Sequence, residues 1–296
     1  MESKQLRYFV TVVDMKSFSR AAKQLFVSQP ALSSVIRNME KEYGVQLIYF
    51  LGKQMHLTSH GTQLYAMAQN MLRQQDAIHE MMHGSFPMEK GILRIGLSHT
   101  MGPCLFPRLV SGFLEKYPDI EYVVEQYIGL KEIQDMVNKH QLDVGFVLLP
   151  VLANAFDVVP IHKSSRVIIA SKRHPLAQRE SLRFADLRDE RFIMLGPLYR
   201  GYHEFLAGCR SAGFEPRIAM QLAHWDLIFQ LVKLNMGITC LVKLLIETFP
   251  SDELVSIPVV DPVPSWEAVM ITAKNRYDSI PLRLFKEHVQ AVVGTE

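Results

Sequence analysis

The spacing of apolar residues changes character near Gly91, and that change constrains the fold more than any single motif. Before it, apolar residues recur at helical intervals. Leu6, Phe9, Val10 and Val13 mark a first helix, and Leu32, Val35, Ile36 and Met39 a later one. After it, Leu93, Ile95 and Leu97 alternate as in a strand, and a helical stretch from about Met101 to Tyr117 is stopped by Pro118. Ile120–Gln126 reads as a second strand, Ile133–His140 as a second helix, and Val144–Leu149 as an apolar run suited to a strand buried on both faces. A helical head is thus followed by an α/β body with a parallel sheet. The same rhythm returns over residues 167–242, so the body has two α/β halves. The cleft between such halves is the default ligand site.

The 296 residues are 48% hydrophobic and 21% charged, enough for two or three domains with real cores. The net charge of +2 is unevenly spread. Residues 1–60 hold eight Lys/Arg against four acids, which makes the head +4 and leaves the remainder at −2. A basic head on a near-neutral body suits a nucleic-acid-binding module joined to a second domain. The first residues carry no apolar h-region, and no apolar run is long enough for a bilayer, so no targeting or membrane segment is expected. Cys104, Cys209 and Cys240 are scattered, with neither metal-ligand spacing nor a disulfide framework, as suits a reducing cytoplasm.

Within the head, Ser17 and Ser19 stand where a cap would precede the helix-forming run Arg20–Leu25. After a break at Phe26-Val27, Ser28 can cap a third helix with Pro30 in its first turn. Its apolar side leaves Gln29, Ser33, Ser34 and Arg37 facing outward, and Gly44 ends it. Residues 47–57 read as a two-stranded wing with its turn at Gly52-Lys53. Thr58 can cap a long fourth helix reaching about His83. There Leu64, Ala68, Met71, Gln75, Ile78 and Met82 form a heptad seam, which a second copy of the chain would bury.

The run Ser17-Phe18-Ser19-Arg20-Ala21-Ala22-Lys23-Gln24-Leu25, followed by Val27-Ser28-Gln29-Pro30-Ala31-Leu32-Ser33, resembles the helix-turn-helix of LysR-type transcriptional regulators. Glu40, Gly44, Leu47 and Leu57-Thr58-x-x-Gly61 continue the match in register. Weaker matches follow at Leu142-Asp143-Val144-Gly145, Arg173-His174-Pro175-Leu176 and Met236-Gly237-Ile238. The resemblance implies an N-terminal winged helix-turn-helix with a long linker helix, then a two-lobed α/β effector domain like a periplasmic binding protein. The expected division is 1–58 for DNA binding, 59–88 for the linker and dimerisation helix, and 89–296 for the effector domain. Lobe one then covers about 91–161 and 266–296, and lobe two about 162–265. The implied partners are double-stranded promoter DNA, a small-molecule effector that is a candidate anion, and further copies of the chain as a homodimer or homotetramer. RNA polymerase is a candidate partner, and no membrane is expected. Two positions depart from the family: Phe50 stands where the wing usually has Arg, and Leu130 where the effector loop usually has Ser or Thr.

The expected DNA-contact residues are Ser17, Arg20, Ser28, Gln29, Pro30, Ser33, Ser34, Arg37 and Lys53. Most contacts of such modules go to phosphate, the fewer base contacts coming from the third helix. For the effector, Ser98, His99 and Thr100 lie between a strand and a helix start, where backbone N–H groups attract anions. Both hydroxyls could equally serve only as helix caps. Position by position, the resemblance adds Pro197 and Tyr199 on the facing loop, with Leu130, Leu149 and His224 on the walls.

Two readings compete. His79-Glu80-Met81-Met82-His83 matches the H-E-x-x-H pattern of zinc hydrolases, although Ile78 and Met82 commit the same helix to packing. Cys104 and Cys209 raise a thiol-based redox switch on the same scaffold. The leading expectation is a regulator rather than an enzyme, with no catalytic residues, cofactor or metal.

Overall fold

The computed structural model describes residues 2–52, 54–83, 91–152, 154–261, 265–274 and 276–294. The side chains of residues 73, 77 and 79–83 lie outside the described set. Two compact units emerge: Met1–Met88 with Lys139–Gln141, and Glu89–Asn138 with Leu142–Glu296.

The first unit holds α1 (Ser3–Met15), α2 (Phe18–Gln24), α3 (Gln29–Tyr43), the hairpin β1 (Ile48–Leu51) and β2 (Gln54–Leu57), and α4 (Ser59–His83). The caps fall where the sequence puts them. Ser17 accepts from Arg20 N, Ser28 from Ala31 N, and Thr58 from Gly61 N. Gly44 closes α3 at φ 66°, a left-handed value that suits glycine. Leu6, Phe9, Ala21, Leu32, Ile36 and Met39 form the core, and Ala22, also buried, lets the helices cross closely. Glu40 ties α3 to the wing by accepting from the amides of Leu47 and Ile48 at 2.8 and 3.2 Å.

The heptad seam expected on α4 needs correction. Ala68 and Leu72 are buried in the head's own core with Leu64 packed beside them, Gln75 bonds to Ser3, and Asp76 pairs with Arg7 at 2.9 Å. The described apolar side chains left outward are Met67, Met71 and Ile78. At about 100° per residue these three, with exposed Gln74, fall within an arc of roughly 60°. The stripe is narrower and rotated from the expected one, because α1 claims the adjoining side. Met82 lies outside the described side chains.

The second unit begins with β3 (Gly91–Ser98), α5 (Gly102–Lys116), β4 (Ile120–Tyr127), α6 (Leu130–Asn138), β5 (Val144–Leu148) and β6 (Phe156–Ser164). It continues through β7 (Arg166–Ser171), β8 (Arg191–Leu195), α7 (Arg200–Ser211), β9 (Arg217–Leu222), α8 (Trp225–Lys233), β10 (Thr239–Val242) and α9 (Lys243–Thr248). It ends with β11 (Leu254–Pro258), β12 (Trp266–Ala273) and α10 (Ile280–Gly294). One sheet has the order β4-β3-β5-β12-β6, and the other lobe holds β10-β7-β11 and the pair β8-β9. The expected parallel sheet is corrected: the five-stranded sheet is mixed, the three-stranded one is antiparallel throughout, and among the described residues only the β8-β9 pair is wholly parallel. β3 runs parallel to β4 and β5, but β12 returns antiparallel between β5 and β6, and β7 is antiparallel to both its neighbours.

Strand alternation gives the first sheet two apolar faces. Phe146, Leu148, Ala268 and Met270 meet the core that holds residues of α5 and α10, whereas Val147, Val269 and Ile271 meet Ile133 and Val137 of α6. In the other lobe Val167, Ile169 and Ile193 join the larger core, while Ile168, Phe192 and Met194 pack with Phe205 of α7. No described helix is long and apolar enough to cross a membrane.

Candidate nucleic-acid interface and ligand pocket

Helix α3 begins at Ser28, whose hydroxyl cap spends itself on Ala31 N, and Pro30 costs nothing in a turn with no intrahelical acceptor. Burial of Leu32, Ile36 and Met39 turns Gln29, Pro30, Ser34 and Arg37 into solvent and leaves Ser33 half-buried. Ser19 donates to Gln29 Oε1 at 2.8 Å, which aims that amide from the neighbouring helix. Arg37 Nε folds back onto the Ser33 carbonyl at 3.4 Å. Ser17 is occupied as the α2 cap, and Arg20 Nη2 donates to the Met15 carbonyl at 2.6 Å while remaining exposed. With Lys23 and Lys41 also exposed, this side of the head can neutralise phosphates. Lys53 lies outside the described residues. Phe50 and Leu51 stand exposed on the wing, so an apolar surface occupies the place where the family usually has a cation. Phe26, in the turn between α2 and α3, is 96% exposed at φ 54°, a conformation L-residues avoid. Nothing in its sequence context marked it beyond a break in the helical pattern.

The second unit holds a pocket between its two lobes. From the first lobe it is lined by Ser98, His99 and Thr100, with Ile128, Leu130, Leu148 and Trp266. From the second come Arg166, Met194, Tyr199, Arg200, Gly201 and Cys240, among others. The N-cap of α5 is Met101, with no side-chain cap bond, so neither Ser98 nor Thr100 is spent on capping that helix. Ser98 is 3% exposed, and its Oγ and His99 Nδ1 are buried with no hydrogen-bond partner among the described residues. Buried polar groups normally find partners, so both atoms point to a ligand or water. Burial, then neighbouring His224, lowers the His99 pKa, against a smaller opposing pull from Asp226. The imidazole is therefore held neutral.

The structure brings five expected residues, Ser98, His99, Thr100, Leu130 and Tyr199, to the pocket wall. Three others sit outside that lining. Leu149 follows Leu148 on the opposite side of the strand and packs in the α6 cluster. Pro197 is exposed on the turn before α7, where its carbonyl lies 2.7 Å from His203 Nε2. His224 is exposed, its ring 5.4 Å from that of His99. Tyr199 donates to the Ala223 carbonyl, and burial raises its pKa, which keeps it a neutral donor. The sequence reading missed Arg166, Arg200, Gly201 and Trp266. An arginine directly before the apolar run Val167–Ala170 was the one available signal.

The side chains of His79, Glu80 and His83 lie outside the described residues, and no cluster of three or more metal-ligating side chains occurs among those described. Burial raises the pKa of all three thiols, Cys209 to about 12 and Cys240 to about 11. Reactive cysteines need the reverse shift.

Residues 3–62 match the family model for the bacterial regulatory helix-turn-helix protein, lysR family, and residues 88–294 match the LysR substrate binding domain. An uncharacterized HTH-type transcriptional regulator, YwbI of Bacillus subtilis, is 32% identical over 98% of this chain and 96% of its own length. Among solved structures, full-length OxyR from Pseudomonas aeruginosa aligns with TM-score 0.79 at 23% identity, covering 99% of this chain and 94% of that one. Full-length CbnR in complex with its target DNA aligns with TM-score 0.70 at 20% identity, covering 99% and 100%. The chain belongs to the LysR-type transcriptional regulators, which are DNA-binding proteins with an effector-binding domain and not enzymes.

Proposed function

We propose that the chain binds promoter DNA in the cytoplasm through α3, as a homodimer joined along α4 or a tetramer built from it. A small-molecule effector in the pocket between the lobes then biases its conformation. RNA polymerase is the further partner through which that change acts on transcription. The observation that carries the effector reading is the pair of buried, unpartnered atoms, Ser98 Oγ and His99 Nδ1, in a pocket lined from both lobes. A ligand held by both lobes favours whichever lobe arrangement it fits, and it can shift the population only by that preference. In the head, Gln29, Pro30, Ser33, Ser34 and Arg37 are assigned to the major groove, and Arg20 to phosphate. Ser17 and Ser28 act as caps whose amide-rich helix starts face the backbone.

Promoter-DNA anisotropy across a salt series tests the head. Arg37→Ala is expected to lower the salt slope by about one unit if Arg37 meets phosphate, or to relax specificity at a cost of roughly 1–3 kcal/mol if it meets a base. Wild-type binding at every salt concentration would remove α3 from the interface as drawn here. Ligand binding is read from the emission of Trp266, which lines the pocket.

A further inference from the structure

Arg166 opens β7, and its side chain is 9% exposed. Its Nε and Nη2 both donate to Oε2 of Glu204, at 2.9 and 2.7 Å. The other carboxylate oxygen, Oε1, accepts from Arg200 Nε at 2.6 Å. Arg200 Nη1 donates to the Leu149 carbonyl in the other lobe. Both arginines line the pocket, whereas Glu204 does not, and the lining includes no acid. Two guanidiniums therefore share one carboxylate behind them, leaving a formal charge of +1 beside the cavity. Arg166 is largely withdrawn from water and Arg200 partly so, and a charge held in that way is unfavourable unless it is matched.

Donors remain to match it. Arg166 Nη1 and Arg200 Nη2 have no acceptor among the described residues. Arg166 Nη1 rests against Gly201, where a Cβ would stand 2.5 Å away, so glycine makes room for the guanidinium at the start of α7. The Tyr199 N-cap supplies no side-chain cap bond, and no acid lies in the first turn. The helix start, with its free amides, adds to the same positive pole. Independently, the unpartnered Ser98 Oγ marks the opposite wall of the same pocket as a ligand position. Ile128, Leu130, Leu148 and Trp266 make that first-lobe side largely apolar.

We infer that Arg166 and Arg200, oriented by Glu204, form the ligand-selecting pole of the cleft, and that the ligand is a monocarboxylate with a short apolar body. One carboxylate balances the one unmatched charge and accepts the planar, paired donors that guanidinium offers. The inference rests on the cleft reading above and adds the ligand's class.

The test uses the full chain with 3-methylbutanoate and 3-methylbutanamide, probes of one shape and different charge. The acid is expected to raise the melting temperature and perturb Trp266 emission, with the amide at least tenfold weaker. Arg200→Met, at a partly exposed position, is expected to reduce the acid to the level of the amide. Arg166→Met should do the same where it folds. Acid affinity should stay level from pH 6 to 9, because guanidinium does not titrate there, whereas a histidine-held anion would weaken as pH rises. Leu130→Trp, which fills the pocket from the other wall, should abolish the response. Equal responses to acid and amide, both lost in Leu130→Trp, would overturn the cationic pole and leave the cleft reading standing. No response to the acid, or wild-type affinity in Arg200→Met, would overturn it as well. An acid response that survives Leu130→Trp would overturn both readings.

Discussion

Gly61 sits in the first turn of α4 with its α-carbon facing the wing. A Cβ built there would stand 2.1 Å from the Leu47 carbonyl oxygen, a backbone atom that cannot swing aside. The requirement is space, since Gly61 is not among the glycines with positive φ. Gly61→Ala is therefore expected to lower the stability of the head by about 1–3 kcal/mol, in the range of other overpacking substitutions, as measured by urea unfolding. The second residue-scale prediction concerns pH. His99 and His288 both have lowered pKa values, chiefly through burial. As pH falls below about 6.5, the unfolded chain takes up protons that these folded imidazoles still refuse. Protons then favour the unfolded state, so stability should fall with falling pH and level off once the folded pKa values are passed. Urea midpoints at pH 7.5 and 5.5 check this, and His288→Gln should show a smaller drop than wild type. The sequence announced neither effect. Both depend on what packs against the residue, whereas the caps at Ser17, Ser28 and Thr58 were readable because a cap bonds to its own neighbours in the chain.

At the scale of elements, α4 separates what periodicity tells from what it leaves out. The apolar residues of residues 64–78 announced an amphipathic helix, and the helix is there. Which of them belong to the head was not readable, because Ala68 and Leu72 are claimed by α1, a contact more than fifty residues away in the chain. The sheets repeat the point. Val144–Leu148 reads as a doubly buried strand from its composition, but nothing local says that β12 returns antiparallel beside it from the far end of the chain. The rotated stripe on α4 leads to a prediction with an internal control. Met71→Asp and Ile78→Asp place a charge on the exposed stripe of Met67, Met71 and Ile78. Each is expected to shift the sedimentation profile to monomer while the head keeps its helical signal, because an unpaired charge cannot be buried in an apolar seam. Leu72→Asp should instead unfold the head. A dimer that survives both outward substitutions would mean that copies of the chain meet elsewhere.

For the whole molecule, division into two units carries the argument. The basic charge of the first sixty residues lies in the first unit, and the pocket lies wholly in the second. DNA affinity and ligand affinity can thus be altered one at a time, and linkage between them must pass through the balance of conformations. Sequence likeness located the Ser98–Thr100 side of the pocket because those residues are contiguous. It did not locate Arg166 beside Glu204: Arg200 and Glu204 are one turn apart on α7, but Arg166 comes from β7 and joins them only on folding. Thr100 offers the cleanest separation of the two functions. It lines the pocket and is not needed to cap α5. Thr100→Val keeps the shape and removes a hydroxyl donor, and a hydrogen bond to a charged ligand contributes roughly 1.5–3 kcal/mol. Ligand affinity should fall about ten- to a hundredfold. Promoter affinity without ligand should stay at the wild-type value, since the substitution touches neither α3 nor the resting balance of states. Titrating ligand against promoter-DNA anisotropy reads both quantities in one experiment, with the midpoint moved to higher ligand and the ligand-free signal unmoved. A wild-type midpoint would remove Thr100 from the site and leave Ser98, Arg166 and Arg200 to hold the ligand. A changed ligand-free signal would mean that Thr100 sets the resting balance of the lobes instead of holding the ligand.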